Sequence, residues 1–253
     1  MAELGYLIAG NWKMNGLSGD AKALAAAVAA GAGAAPAGVD LLICPPAAHL
    51  ALAGDAIAGT AVRLGGQDCH EAAGGAFTGD ISAEMLKDLG CSHVIVGHSE
   101  RRDGHAEGDA LVWRKASAAL RAGLIPIVCV GETEQERLSG KAEETVARQV
   151  RASVPDGADG TCLAVAYEPV WAIGSGRTPT NDEIAAVHKA MRAALVGLLG
   201  DAKGASVKLL YGGSVKPGNA KEILAIHNVN GALVGGASLK AADFLGIAAA
   251  AGA

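Results

Sequence analysis

The sequence predicts an α/β protein folded as a closed (β/α)₈ barrel. Eight short apolar runs recur about 30 residues apart, which is the length of one βα repeat. The runs do not alternate with polar residues, so both faces of each strand are expected to be buried, as in a parallel sheet. No linker or change of composition interrupts the series, so we expect residues 1–253 to form a single domain.

Strands and helices are expected to alternate along the whole chain. The predicted strands are residues 6–9, 41–44, 62–66, 93–96, 125–130, 162–167, 207–211 and 229–234. Helical periodicity is found, for example, at residues 18–30, 109–121, 142–151 and 181–198. The alternative is an open doubly wound sheet, which a Gly-x-Gly-x-x-Gly turn after the first strand would support. That turn reads Gly10-Asn11-Trp12-Lys13-Met14-Asn15-Gly16, so the barrel is the stronger prediction.

Composition narrows the classes of function. A net charge of −5 argues against non-specific binding to nucleic acid or to an anionic membrane. The five cysteines show no C-x-x-C and no zinc-like spacing, so they are expected to be reduced thiols of a cytosolic protein, with no metal bound. We find no signal-peptide pattern and no apolar run of membrane-spanning length, and therefore expect a soluble, cytoplasmic protein.

A carboxylate follows the sixth apolar run. Glu168 comes directly before a proline, which cannot extend the strand, so its side chain is expected to face out of the strand end. The apolar tip and glycines that follow predict a base beneath a lid. The alternative is an ordinary βα connection whose apolar residues pack on the next helix. The lid would comprise Pro169, Val170, Trp171, Ala172, Ile173, Gly174, Ser175, Gly176, Arg177, Thr178 and Pro179.

Polar residues also follow the first and fourth strands. In such barrels the functional site lies at the carboxyl ends of the strands. Asn11 and Lys13 are two residues apart, which on an extended backbone places both side chains on one side. His98 and Glu100 have the same spacing. For Lys13 alone, a surface position is the alternative, but the neighbouring Asn11 favours a functional one.

Glycine-rich turns follow the last two strands. They read Gly212-Gly213-Ser214-Val215 and Gly235-Gly236-Ala237-Ser238, and the second leads into a helix. Backbone N–H groups at two such turns, one of them at a helix N-terminus, form the phosphate site common in these barrels. The sequence therefore predicts an anionic, phosphorylated ligand.

Together these motifs resemble the triosephosphate isomerase family over the whole length of the chain. The resemblance rests on five segments: Gly10-Asn11-Trp12-Lys13-Met14-Asn15, Gly97-His98-Ser99-Glu100-Arg101-Arg102, Ala166-Tyr167-Glu168-Pro169-Val170-Trp171-Ala172-Ile173-Gly174, Tyr211-Gly212-Gly213-Ser214 and Val234-Gly235-Gly236-Ala237-Ser238-Leu239.

The resemblance implies an enzyme with a TIM barrel that interconverts dihydroxyacetone phosphate and D-glyceraldehyde 3-phosphate through an enediolate, without metal or organic cofactor. It implies that Glu168 is the base and His98 the electrophile, the pairing of glutamate with neutral histidine being established for this family. Lys13 would supply positive charge, and Asn11 would help to position these groups. Other residues match family positions around the catalytic groups (Glu100, Cys129) and at the phosphate (Gly174, Ser214, Gly235, Gly236).

The resemblance also implies a homodimer. In this family the third loop docks beside the active site of the partner, and Phe77 and Thr78 are the matching residues here. The chain departs from the commonest pattern at Asp80, usually glutamate, and at Ser175, often threonine. The far lid hinge, Arg177-Thr178-Pro179, replaces a lysine and smaller residues that are not proline.

Two alternatives to this function remain at the level of sequence. Another phosphosugar isomerase, or an aldolase that uses Lys13 as a Schiff base, would share the barrel and the phosphate site, because fold does not determine function. A non-catalytic barrel would be expected to have lost at least one of Asn11, Lys13, His98 and Glu168, and all four are present.

Overall fold

The computed structural model describes residues 4–174 and 177–252. Eight parallel strands form a closed barrel in chain order, and the last strand is hydrogen-bonded to the first. The predicted (β/α)₈ barrel is therefore confirmed. The strands are β1 (Tyr6–Asn11), β2 (Val39–Cys44), β3 (Arg63–Gly66), β4 (His93–Val96), β5 (Ile125–Val130), β6 (Ala164–Tyr167), β7 (Lys208–Tyr211) and β8 (Gly231–Val234).

Helices surround the barrel. Within the described ranges the α-helices are α1 (Ser18–Gly31), α2 (Leu50–Ile57), α3 (Ala83–Asp88), α4 (Ser99–Gly104), α5 (Asp109–Arg121), α6 (Glu134–Leu138), α7 (Ala142–Ser153), α8 (Asn181–Leu199), α9 (Asp201–Ser206), α10 (Pro217–Leu224) and α11 (Ala241–Ala249). A 3₁₀ helix, Gly236–Leu239, follows the last strand. None of the described helices is long and apolar enough to cross a membrane.

The predicted strands are too short for β1, which runs to Asn11, and for β2, which starts at Val39, and they begin too early for β3, β6, β7 and β8. β4 and β5 match the prediction residue for residue. The sixth and eighth predicted strands begin two residues too early. The backbone N–H groups of Cys162 and Val229 donate to Asp159 and Ile226 in turns that precede the strands. Apolar character reports burial here, and the backbone hydrogen bonds decide where the strand starts.

Two apolar layers explain why the strands read as almost continuous apolar runs. Along β1, Leu7 and Ala9 belong to the cluster inside the barrel, whereas Ile8 belongs to the layer between strands and helices. The inner cluster comprises Leu7, Ala9, Leu42, Cys44, Ile95, Ile127, Cys129, Ala164, Ala166, Leu210 and Leu233. With both faces buried, polar side chains are confined to the strand ends, where the barrel opens.

The capping predicted at the start of α8 is confirmed. The Glu183 N–H donates to Thr180 Oγ1 at 3.3 Å, and the Thr180 N–H donates to Glu183 Oε2 at 2.7 Å. This reciprocal arrangement satisfies N–H groups at the helix start that have no partner within the helix. It also fixes the chain immediately after Pro179, the last residue of the predicted lid.

Candidate active site

A large cavity lies at the carboxyl ends of the strands. Its volume is about 1190 Å³. Every predicted catalytic and phosphate-contacting residue lines it, although the residues come from five different strand ends. They are Asn11, Lys13, His98, Glu168, Gly174, Ser214, Gly235 and Gly236, and Glu100 lines the same cavity.

The centre of this cavity holds a carboxylate in contact with an imidazole. Glu168 directly follows β6 and is 2% exposed. Its Oε1 lies 2.8 Å from His98 Nε2, and its Oε2 accepts a hydrogen bond from the Ser99 backbone N–H at 2.8 Å. The two residues predicted as base and electrophile are therefore direct partners when no ligand separates them.

His98 precedes helix α4, and the helix start orients its ring. Nδ1 accepts the Glu100 backbone N–H at 3.2 Å, so Nδ1 carries a lone pair and the proton of the neutral ring lies on Nε2, facing Glu168. Burial disfavours the imidazolium, but the Glu168 carboxylate outweighs burial and raises the pKa of His98 above its ordinary value. The contact with Glu168 is therefore the main influence that favours the protonated ring over the neutral one.

Glu168 is ionised in this arrangement. Burial is the largest single influence and raises its pKa, but His98, the Ser99 N–H and Lys13 together outweigh burial, so the pKa of Glu168 lies below its ordinary value. Cys129 on β5 is fully buried nearby. Burial and the Glu168 carboxylate raise the pKa of the Cys129 thiol, which therefore stays protonated and contributes an apolar wall behind the carboxylate.

Lys13 has a left-handed backbone, with φ of 52°. For a residue with a side chain this conformation is strained, at a cost of about 1–3 kcal/mol. Asn11 Oδ1 accepts the Lys13 N–H at 3.0 Å, and Gln67 Nε2 donates to the Lys13 carbonyl at 2.9 Å. The side chain then reaches Glu100, with 2.5 Å between Lys13 Nζ and Glu100 Oε1. The predicted side chains do share the cavity, but the extended backbone assumed between Asn11 and Lys13 is wrong.

The glycine-rich turns after β7 and β8 line the same cavity. A Cβ on Gly212 would lie 2.9 Å from the Tyr167 carbonyl oxygen, and one on Gly213 would lie 2.2 Å from the Tyr211 hydroxyl, so both positions need glycine. A Cβ on Gly235 would lie 3.6 Å from Cε of Lys13. The turn after β8 therefore passes next to the lysine, and its backbone lies within reach of an anion that contacts the ammonium group.

The near end of the predicted lid is attached to a buried carboxylate. Trp171 Nε1 donates to Glu132 Oε1 at 2.8 Å, and Glu132 also accepts from Arg137 Nε at 2.9 Å and from the Tyr167 hydroxyl at 3.1 Å.

The other residues of the predicted lid differ in burial. The hinge residues Pro169 and Pro179 are buried, while Gly174, Arg177 and Thr178 are exposed. Val170, Ala172, Ile173 and Gly174 line the cavity. Ser175 and Gly176 lie outside the described residues.

Sequence reasoning missed three contributors. Gln67 directly follows β3 and Glu132 lies two residues after β5, so the search for polar residues just past each apolar run could have found both. The backbone N–H of Ser99 acts through its position at the start of α4, and no residue type indicates such a role.

The residues predicted for dimer contact lie outside the cavity. Phe77 is 44% exposed and stacks on His70, with ring centroids 4.0 Å apart. Thr78 is exposed beside it. Both belong to the long loop between β3 and α3.

Comparison with known proteins agrees with this geometry. The family model described as triosephosphate isomerase matches residues 6–251. Triosephosphate isomerase from Afipia carboxidovorans is 61% identical, with 96% of each chain covered, and that from Xanthobacter flavus is 58% identical, with 99% of each covered. The crystal structure of triosephosphate isomerase from Bartonella henselae has a TM-score of 0.90 at 49% identity, covering 97% of this chain and 98% of its own. The chain belongs to the triosephosphate isomerase family.

Proposed function

We propose that this protein interconverts dihydroxyacetone phosphate and D-glyceraldehyde 3-phosphate, a step of glycolysis and gluconeogenesis, with residues 1–253 as one catalytic domain. The observation that carries the proposal is the buried contact between Glu168 and His98 in a cavity that glycine-rich backbone and Lys13 also line. The same cavity therefore holds a base, a neutral donor and groups suited to a phosphate dianion.

The proposed reaction moves one proton between adjacent carbons. Glu168 removes a proton from C1 of dihydroxyacetone phosphate, and the C–H electron pair becomes the C1=C2 bond of an enediolate. Negative charge then develops on O2, where the Nε2–H of His98 and the Lys13 ammonium group stabilise it. His98 passes its proton to O2 and recovers one from O1, while Glu168 returns its proton to C2. Atoms and charge balance without any external acid, base or electron carrier.

Substrate binding activates both groups. A substrate whose carbons contact Glu168 has to displace His98, and the carboxylate loses the contact that holds its pKa down. Burial then dominates and makes Glu168 a stronger base. His98 in turn loses the carboxylate that favours its protonated form, so burial and the α4 helix start keep the ring neutral. Glu168 and His98 are therefore better suited to proton transfer when the substrate separates them than when they contact each other.

The proposed reaction also requires the lid to close over the substrate. The cavity exceeds the roughly 300–1,000 Å³ usual for drug-sized ligands, and a triose phosphate is smaller than such ligands. Water would surround the bound substrate unless the segment 169–179 moved over it. Closure would bring the Gly174 N–H to the phosphate, alongside the backbone at Ser214, Gly235 and Gly236. The buried prolines at both hinges support motion as a rigid flap.

A coupled assay tests the proposed function. Purified protein converting glyceraldehyde 3-phosphate should produce dihydroxyacetone phosphate, detected by its reduction with NADH and glycerol-phosphate dehydrogenase. Borohydride added together with substrate should leave Lys13 unmodified, whereas in a Schiff-base aldolase it would reduce the imine between lysine and substrate and so link the substrate covalently to the lysine. Turnover no higher than background would refute the proposal.

We propose further that the protein is a homodimer. Large apolar side chains are exposed on the first βα loop (Met14 at 96%, Leu17 at 78%), on the third (Phe77 at 44%) and on α3 (Met85 at 54%). These elements are near neighbours around the barrel, and a cluster of this kind marks a protein interface. In a two-fold dimer Thr78 would lie near Lys13 of the partner subunit.

The variant Phe77→Asp should dissociate this dimer. A buried charge in the interface is unfavourable, so light scattering should show a pair of 25.1 kDa chains for the parent protein and a single chain for the variant, with reduced activity. Leu138→Asp is the control, because Leu138 is 82% exposed on α6, away from these loops, and it should leave the dimer intact. A parent protein that is a stable, fully active monomer would contradict the proposal.

A cytoplasmic location fits the same function. All five cysteines are unpaired thiols, and four of them are buried. Reduced thiols are the normal state in the cytoplasm. We therefore propose that the enzyme works there.

A further inference from the structure

Arg102, on α4, joins that short helix to the ends of β4 and β5. Its Nε donates to the Gly97 carbonyl at 2.8 Å, and its Nη2 donates to the Cys129 carbonyl at 3.0 Å. Its Nη1 donates to Asp109 Oδ1 at 2.7 Å, and Nη2 also donates to Ser153 Oγ at 3.2 Å. The side chain is 17% exposed. One mostly buried guanidinium therefore binds two backbone carbonyls, a carboxylate and a hydroxyl.

The hydrogen bond from Arg102 to Gly97 encloses the start of α4. Gly97 directly follows β4 and has a left-handed backbone, with φ of 67°. Within the enclosed segment, the Ser99 N–H donates to Glu168, and the N–H of the next residue donates to the ring of His98. The two backbone donors that orient the base and the imidazole therefore lie in a turn that this guanidinium closes.

The second carbonyl contact reaches the strand beside the base. The ladder between β4 and β5 ends at the pair Val96 and Val128, one residue before each of the two carbonyls that Arg102 binds. The carbonyl of Val130, farther along β5, accepts the backbone N–H of Glu168 at 2.8 Å. The guanidinium therefore continues the link between β4 and β5 where the ladder stops, close to the backbone of the base.

The carboxylate that pairs with Arg102 has partners of its own. Asp109 is the first residue of α5, and it also accepts from Arg148 Nη1 at 2.8 Å and from Ser153 Oγ at 3.3 Å. It would therefore stay paired if Arg102 were changed. A lysine could keep the charge beside this carboxylate, but its single nitrogen cannot present the planar set of donors that two separate carbonyls require.

We propose that Arg102 is a positioning residue, which holds the start of α4 so that its backbone N–H groups face Glu168 and the ring of His98. This inference rests on the proposed function in that these two residues are taken as the base and the electrophile. Arg102 lines the cavity, but its contacts are to the protein. Its loss should therefore disturb proton transfer and leave phosphate binding unchanged.

The variant Arg102→Lys tests this inference, because it keeps the positive charge and removes the fork of donors. Its kcat should fall about 10- to 100-fold, as expected for a misplacement of up to roughly 1 Å, while KM changes by less than about twofold. Titration calorimetry with inorganic phosphate should give the dissociation constant and stoichiometry of the parent protein. The stoichiometry counts folded sites, so a loss of kcat at full stoichiometry is not due to unfolding.

A second measurement needs no turnover. The titration of the His98 ring can be followed by NMR in protein labelled with ¹⁵N-histidine. When the start of α4 is loosened, its N–H no longer opposes a proton on Nδ1, so the pKa of His98 should rise in Arg102→Lys. The charged groups that face the ring are the same in the variant and the parent: Glu168, Glu100 and Lys13.

Asp109→Asn is the matched control, because it weakens the same cluster but leaves both carbonyl contacts of Arg102 in place. It should lower the melting temperature without changing kcat or the titration of His98. If Arg102→Lys keeps the parental kcat and ring titration, or if Asp109→Asn loses as much kcat, Arg102 only supports the fold. A raised KM with weaker phosphate binding would show that Arg102 contacts the substrate, which also overturns the proposal. In a protein that fails the isomerase assay, an unshifted ring titration would still refute it.

Discussion

Glu168→Asp is expected to lower kcat about 100-fold while KM changes little. The substitution keeps the carboxylate but retracts it by one methylene, and a misplacement of roughly 1 Å at a reacting group has an effect of that size. The phosphate would still be held by Lys13 and the glycine-rich turns, which explains the unchanged KM. Steady-state kinetics in both directions should show the same loss, because one base serves both directions.

The matching control is Glu144→Asp, the same chemical change at an exposed position on α7. Its kcat should equal that of the parent enzyme. A circular dichroism spectrum and melting curve close to those of the parent would show that Glu168→Asp retains the fold. If the Glu168→Asp enzyme keeps near-parental kcat, Glu168 is not the base.

Excising residues 173–176 should lower isomerase turnover by orders of magnitude and change the product. The enediolate phosphate eliminates inorganic phosphate when it meets water with its phosphate free to rotate, leaving methylglyoxal. Glu168, His98 and Lys13 should all remain in place, since Glu168 is held by His98 and the Ser99 N–H, and Lys13 by Glu100, all of which lie outside the excised segment. The lost function is the exclusion of water, so most of the remaining flux should appear as methylglyoxal and free phosphate.

The Glu168→Asp enzyme serves as the comparison for this deletion. It is slow but keeps its lid, so its product should stay clean, which separates slow chemistry from an unprotected intermediate. A deletion enzyme that is merely slower, with no excess of methylglyoxal, would show that the segment does not guard the intermediate.

The barrel and the positions of most site residues could be predicted because both depend on local signals. An apolar run buried on both faces indicates a parallel strand. A polar residue directly after such a run, for example Glu168 or His98, lies at the mouth of the barrel, and this position follows from the local sequence alone. Closure of the sheet then brings these ends together. The same rule applied to the third and fifth strands would have added Gln67 and Glu132.

Contacts that depend on the assembled barrel could not be predicted from the pattern. The pairing of Glu168 with His98 and with the Ser99 N–H joins β6 to the start of α4, 69 residues away for the Ser99 contact. The backbone of Lys13 is another case. The spacing from Asn11 suggested an extended chain, whereas hydrogen bonds to Asn11 and Gln67 hold it in the left-handed region.

The left-handed backbone of Lys13 has a consequence for protein engineering. A glycine would adopt φ of 52° without strain and would stabilise the fold, but it would remove the ammonium group from the cavity. No natural residue offers both, so at this position thermostability and turnover are in direct conflict. A programme that selects variants for heat resistance alone would be drawn to this position and would return well-folded, inactive proteins. Stabilising changes are better sought on helices such as α1, α5 and α8, none of whose residues lines the cavity.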